Sequence, residues 1–204
     1  MRNLLTKRTA VRLIGALFLM ITLNGCYFPI RFDIEVDISR QGFYKIVFDG
    51  YIVHVALYQG LREGKINSAE EQKKVADVKT DITRDSAASE FRYFNKGRFR
   101  VHWEKEGDIT RQKFVTFMRR NASFFSIKYN KEKFTIELAG TSLSSSQKKQ
   151  LRAIGLDMVG EIRIKTDGRV VKHNATQTGT PTKFYIWKID GMSKPSPKMV
   201  ISLI

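Results

Sequence analysis

The stretch "RFDIEVDIS", Arg31 to Ser39, alternates without a break: Phe32, Ile34, Val36 and Ile38 share one side of an extended chain, and Asp33, Glu35 and Asp37 share the other. Side chains on a strand repeat every second residue, so this is the pattern of a strand with one face in a core and one in water. Arg40, Gln41 and Gly42 supply turn chemistry, and "FYKIVFDG", Phe43 to Gly50, returns as a second strand. An antiparallel hairpin therefore opens the fold. The three carboxylates read as a solvated strand face neutralised by nearby Lys and Arg, not as a metal site.

Downstream, "YIVHVALYQGLREGK" is β-rich in its first half, yet Leu57, Leu61 and Arg62 continue a helical period, and a helix is expected there. Ser68 to Glu71 reads as a capping box, and Val75, Val78 and Ile82 follow at helical spacing, which predicts a long helix over about 69–85. Five aromatic-rich runs come next, "EFRYFN", "RFRVHWEKEG", "KFVTFMR", "SFFSIKYN" and "KFTIELAG", and suggest a meander of antiparallel strands. "SLSSSQKKQLRAIGL" reads as a capped helix with Leu151 and Ile154 inward, closed near Gly155. "VGEIRIKT" and "RVVKHNA" flank Asp167-Gly168, a hairpin signal, and "KFYIWKIDG" and "KMVISLI" follow as strands, with Pro195 and Pro197 breaking the chain before the last. The sum is an α+β protein: a large antiparallel β-sheet with two or three packed helices.

Upstream of the hairpin, Met1 to Arg12 carry Arg2, Lys7, Arg8 and Arg12 and no acid, and Leu13 to Leu23 carry no charge. As a helix the apolar run is about 16 Å long, roughly half of a bilayer's hydrocarbon thickness. It reads as a secretory signal peptide, with residues 1–25 removed on maturation. Cys26, the only cysteine, comes directly after it. Leu23-Asn24-Gly25-Cys26 resembles the lipobox of bacterial lipoproteins. That resemblance implies cleavage before Cys26, a covalent diacylglycerol on its thiol and an N-acyl group on its new amine, with no other cofactor. Acyl chains contribute ~0.8 kcal/mol per buried methylene, so two or three make a lasting anchor. Residues 26–30 are then a lipidated tether and 31–204 a single domain. The expected location is the cell envelope outside the cytoplasm. In a Gram-negative host, Tyr27 in place of an Asp after the cysteine implies the outer membrane.

The chain holds 36 Lys and Arg against 20 Asp and Glu, and losing the four leader cations leaves 32 and a net charge of +12. Such a body is drawn to anionic head groups or acidic envelope polymers. The secretory leader argues against nucleic acid as the partner. From Phe91 to Lys105 the chain interleaves aromatic and basic residues. Alternation there turns Phe91, Tyr93, Phe99, Val101 and Trp103 to a core and leaves Arg92, Arg98, Arg100 and Lys105 as an outward cationic row.

"GEIRIKTDGRVVKHNATQTGTPTKFYIWKIDG", Gly160 to Gly191, resembles the LppM-type domain of bacterial lipoproteins, the resemblance resting on Gly160, Asn174, Ala175, Trp187 and Asp190. It implies an envelope-surface α+β domain associated with lipid or membrane, with no established enzyme activity. Trp103, Asn174 and Trp187 are the candidate ligand-binding residues.

No zinc spacing, nucleophile elbow or phosphate loop occurs, so no catalytic or metal-ligating residue is assigned. The lone histidines, His54, His102 and His173, read as surface or satisfied core residues. The expected function is that of a membrane-anchored, non-catalytic lipoprotein binding lipid or another amphiphilic envelope component. Two readings stand beside it: an accessory part of an envelope protein assembly docking by its basic face, and a hydrolytic enzyme, which needs a cleft where His102, His173 or an acid cluster converge.

Overall fold

The computed structural model describes residues 27–84, 87–117, 124–179 and 184–204. The opening hairpin forms as its alternation demands. β1 (Tyr27–Ile38) pairs antiparallel with β2 (Phe43–His54), Ile38 opposite Tyr44 and Tyr27 opposite His54. Gly42, at φ +92°, lets the turn close. The expected tether does not exist as such, because Tyr27 to Ile30 already belong to β1 and Phe28 and Pro29 are buried. The register shifts between Pro29 and Arg31, and a bulge is where a residue without an N–H fits a strand.

β2 runs on to His54 before α1 (Val55–Arg62) starts, so the β-rich first half of the expected helix is strand and only its second half is helical. α2 (Ser68–Thr83) follows, capped one residue earlier than expected: Asn67 and Glu70 form the capping box. The hydroxyl of Tyr93 donates to Glu71 and that of Tyr27 to Asp81 at 2.9 Å, so α2 lies across the strands that carry those tyrosines.

The expected meander is divided. β3 (Ala87–Asn95) and β4 (Arg98–Asp108) form a hairpin, and β4 continues the sheet of β1 and β2. The one-turn α3 (Ile109–Gln112) then redirects the chain into a separate meander of β5 (Phe114–Phe117), β6 (Phe125–Asn130) and β7 (Thr135–Gly140). After α4 (Ser145–Ala153), β8 (Val159–Thr166) lies parallel to β1 and antiparallel to β11 (Phe184–Asp190). Both edges of β8 are thereby occupied. β9 (Arg169–His173) has nowhere to pair beside it, and Asp167-Gly168 carries the chain across to the other sheet, where β9 pairs with β12 (Lys198–Ser202). The hairpin expected at Asp-Gly is thus a crossover. Thr166 accepts from Gly168 N at 3.0 Å and Asp167 accepts from Arg40 N at 2.5 Å, so the turn's own polar groups are used in that crossing.

The α+β class holds, with the strands in two sheets: seven strands ordered β10-β11-β8-β1-β2-β4-β3, β10 being Gln177–Gly179, and five ordered β5-β6-β7-β12-β9. Their inner faces meet through aromatic rings. Phe48 stacks on Phe117 at 4.4 Å between centroids, Trp103 meets Phe117 edge-on at 4.8 Å, and Phe32 meets Phe124 at 5.0 Å. Phe48 is fully buried at the centre of one continuous core. Phe48→Ala is expected to destabilise by about 3–5 kcal/mol, lost transfer energy plus cavity. A urea midpoint lowered at unchanged slope checks this; a loss below about 1 kcal/mol contradicts the inter-sheet packing.

Candidate functional site

The strand registers assign every loop to one of two ends. At the near end β1 begins, Val159 and Asp190 pair, and the Lys96-Gly97 turn closes beside His54. At the far end lie the Ser39–Gly42 turn, α3, Asp167 and the turn before β7. Twelve residues of strand separate them, roughly 40 Å.

A cleft of about 150 Å³ opens at the near end, between α4 and the loop joining β11 to β12. Phe124, Leu143, Met158, Ile189 and Met192 supply its apolar lining. α4 starts there with a capping box, Ser144 and Gln147 exchanging hydrogen bonds. Lys148 lines the cleft, and Arg152, one helical turn on, donates to Ser193 Oγ at 2.7 Å. Asp157 holds the loop from beneath by accepting Met192 N at 2.8 Å. Lys194, on the rim, reaches Asp190 at 3.3 Å, and Arg152 approaches Asp157 at 4.0 Å. Lys148 is half-buried and has no ion-pair partner among the described residues. A cation beside apolar surface, its neighbours neutralised, suits an anionic group carried on an apolar stem. The volume admits a small polar group or a few methylenes, while the inner faces of the two sheets are filled by their own rings.

The three candidate ligand-binding residues are not brought together. Trp187 is buried and donates Nε1–H to Asn174 Oδ1 at 2.8 Å. The same oxygen accepts Lys198 N at 2.7 Å, and Asn174 Nδ2 donates to Ser196 O at 2.9 Å. Asn174 is a clamp between strands of the two sheets, with its polar atoms used. Trp103, four strands from Trp187 in the sheet order, is buried against Phe117.

Of the expected outward cationic row, the three arginines lie on the outer face and Lys105 does not. Arg92 and Arg98 are exposed, their guanidiniums over Phe94 at 4.5 Å and Tyr58 at 5.5 Å. Arg100 is paired with Asp49 and lies 3.8 Å from Glu90. That hydrogen bond, with the Arg100 charge, holds the Asp49 carboxyl below its ordinary range. Lys105 stands opposite Ile46, on the same side of β4 as Trp103, and so belongs to the other face. Between the arginines sit Glu104, 2.8 Å from Lys45, and His102, 3.5 Å from Asp49 and 3.3 Å from Glu104. The outer face is a lattice of alternating charges. The same holds for Asp33, Glu35 and Asp37: Arg163 bonds Glu35 at 2.7 Å and Glu161 at 2.9 Å, and Lys165 approaches Asp37 at 3.9 Å. Among the described residues no group of three or more His, Cys, Asp or Glu is arranged to hold a metal ion. Cys26 lies outside the described residues.

Sequence reasoning missed Lys148 and Lys194, whose shared cleft depends on which loops meet, and it missed the task of His54. This histidine caps α1: its Nδ1 accepts Leu57 N at 3.1 Å, and its ring meets that of Tyr27 edge-on at 5.4 Å.

No family profile matches the chain and no curated protein matches it. Among solved structures, the folded domain of the LppM protein of Mycobacterium tuberculosis is similar at 13% identity and TM-score 0.44, over 88% of this chain and 91% of that one. Native yeast LTA4 hydrolase is similar at 9% identity and TM-score 0.35, over 86% of this chain and 28% of that one. Neither likeness is near enough to carry function across.

Burial, reinforced by the charge of Lys74 and opposed by Asp81, pushes the His54 pKa below its ordinary value. The fold therefore holds the ring neutral, while the unfolded chain takes up its proton near pH ~6.5. Below that pH the unfolded state binds more protons, so this contribution to stability is full above it and is lost as pH falls toward the lowered value. His54→Asn, which keeps a capping oxygen and removes the titration, is expected to flatten the stability profile on the acidic side of pH ~6.5. Matched denaturation curves of both proteins check this, and parallel profiles contradict it.

Proposed function

We propose that the chain is a lipid-anchored protein of the bacterial envelope, non-catalytic, whose body is held directly on the bilayer by acyl chains on Cys26 and whose near-end cleft takes the anionic head and first methylenes of an amphiphile. The observation that carries this reading is the start of β1 at Tyr27, already paired with His54, one residue after the cysteine. Acyl chains at that position leave the body almost no slack. The near end then faces the head groups, and the cleft between α4 and the β11–β12 loop opens on the same end. Lys148, half-buried and without an ion-pair partner among the described residues, supports an anionic ligand. The small volume supports capture of a head group rather than storage of a whole chain.

Two arms test the two halves. The chain from Cys26 to Ile204, which contains every described strand and helix, should bind dansyl-labelled lysophosphatidylglycerol saturably, and Lys148→Glu should weaken that binding at least about tenfold. An absence of saturable binding overturns the amphiphile half. In cells, Cys26→Ser should move the full chain from the membrane pellet to the soluble fraction, and retention in the pellet overturns the anchored half.

A further inference from the structure

The far end carries features that neither the anchor nor the cleft uses. It exposes three aromatic rings: Phe43 is 61% exposed at the start of β2, Phe114 is 40% exposed at the start of β5, and Phe134 is 48% exposed in the turn before β7. Phe134 also sits at φ +49°, a left-handed conformation that is strained for a bulky side chain. The turns are contiguous. Ile109 N donates to Gly42 O, Arg40 N to Asp167, and Leu203 N to Phe134 O.

Around these rings cations outnumber acids. Arg40, Lys113, Lys131, Lys133 and Arg169 are exposed and have no ion-pair partner among the described residues. Of the acids nearby, Asp108 caps α3 through Thr110 N and pairs Arg111, while Asp167 accepts Arg40 N and keeps its charge beside Arg40 and Arg169. Only Glu132 stands among the lysines of the Phe134 turn without such a task. Arg40 and Arg169 also border an open groove of about 580 Å³. Exposed aromatic rings at the tips of turns, ringed by uncompensated cations, match the two layers of an anionic bilayer surface: rings enter the interfacial zone while ammonium and guanidinium groups meet phosphate.

We propose that the far end is a docking surface for an anionic bilayer. The orientation in trans rests on the anchored reading above: a body fixed at its near end presents this surface away from its own membrane, so the occupant is a second one.

Sedimentation with phosphatidylglycerol vesicles, against phosphatidylcholine vesicles, tests the surface using the chain from Cys26 to Ile204. The expected result is binding to the anionic vesicles that Phe43→Ser with Phe134→Ser weakens at least about tenfold while charge is unchanged. Val171→Ser, at an equally exposed position in the middle of β9, should leave it unchanged. Absence of binding, or equal binding by the first variant, overturns the docking surface and leaves an acidic protein as the occupant to be sought. In a second arm the Cys26 thiol is coupled to maleimide lipid in neutral vesicles and anionic vesicles are added. Clustering by light scattering is expected. Binding in the first arm without clustering in the second overturns the trans orientation alone.

Discussion

The structure depends on one constraint of position: the residue after the cysteine is already in a strand, and that strand lies in the middle of the large sheet. β1 is hydrogen-bonded to β2 on one side and β8 on the other, so it joins the first third of the chain to the last. Its first residue is fixed three ways, by register with His54, by ring contact with it, and by a hydrogen bond to Asp81 of α2. A pull on the N-terminus of the body is therefore a pull on its central strand. Lipid on that cysteine would set the attitude of the whole molecule, because no flexible segment intervenes to average it.

The distribution of charge follows from the two-sheet core. Inner faces exclude charge, and outer faces pair it locally: carboxylates of β1 with bases of β8, Asp49 with Arg100, Glu104 with Lys45. Each such exposed pair adds little stability, commonly under ~1 kcal/mol. Together they cancel the field of the sheet face. Cations without an ion-pair partner among the described residues remain at the cleft, in Lys148, and at the far turns, in Arg40, Lys113, Lys131, Lys133 and Arg169. Net charge read from composition names the sign of the partner but not the place where it binds.

Much of this was legible in the sequence. Unbroken alternation over Arg31 to Ser39 identifies both the strand and its buried face, because a slip of one residue would turn Phe32, Ile34 and Val36 to water. The cap at Asn67 lies one residue before the expected Ser68, and Ser144 belongs to the serine cluster expected to cap its helix. Three failures have physical causes. Asp167-Gly168 is sound hairpin chemistry, yet pairing needs a free edge and β8 has none. Phe28 to Ile30 looks like a tether because proline breaks the alternation, while the bulge there absorbs it without ending the strand. Lys105 follows a run of outward bases, yet parity with Trp103 turns it to the other face. The cleft was beyond reach, since its lining comes from separate loops and Lys148 differs from other lysines only in what surrounds it.

The central claim, a body mounted on its membrane without slack, is open to a direct measurement. Acylation of Cys26 would leave the chain with no other thiol, so Lys96→Cys and Glu132→Cys each allow a single spin label on the membrane-bound protein. The account predicts a label at 96, on the near end, in the head-group zone and shielded from a water-soluble relaxer, and a label at 132 fully accessible and roughly 40 Å higher. Equal accessibility at the two positions, as a body swinging on a flexible tether would give, contradicts it.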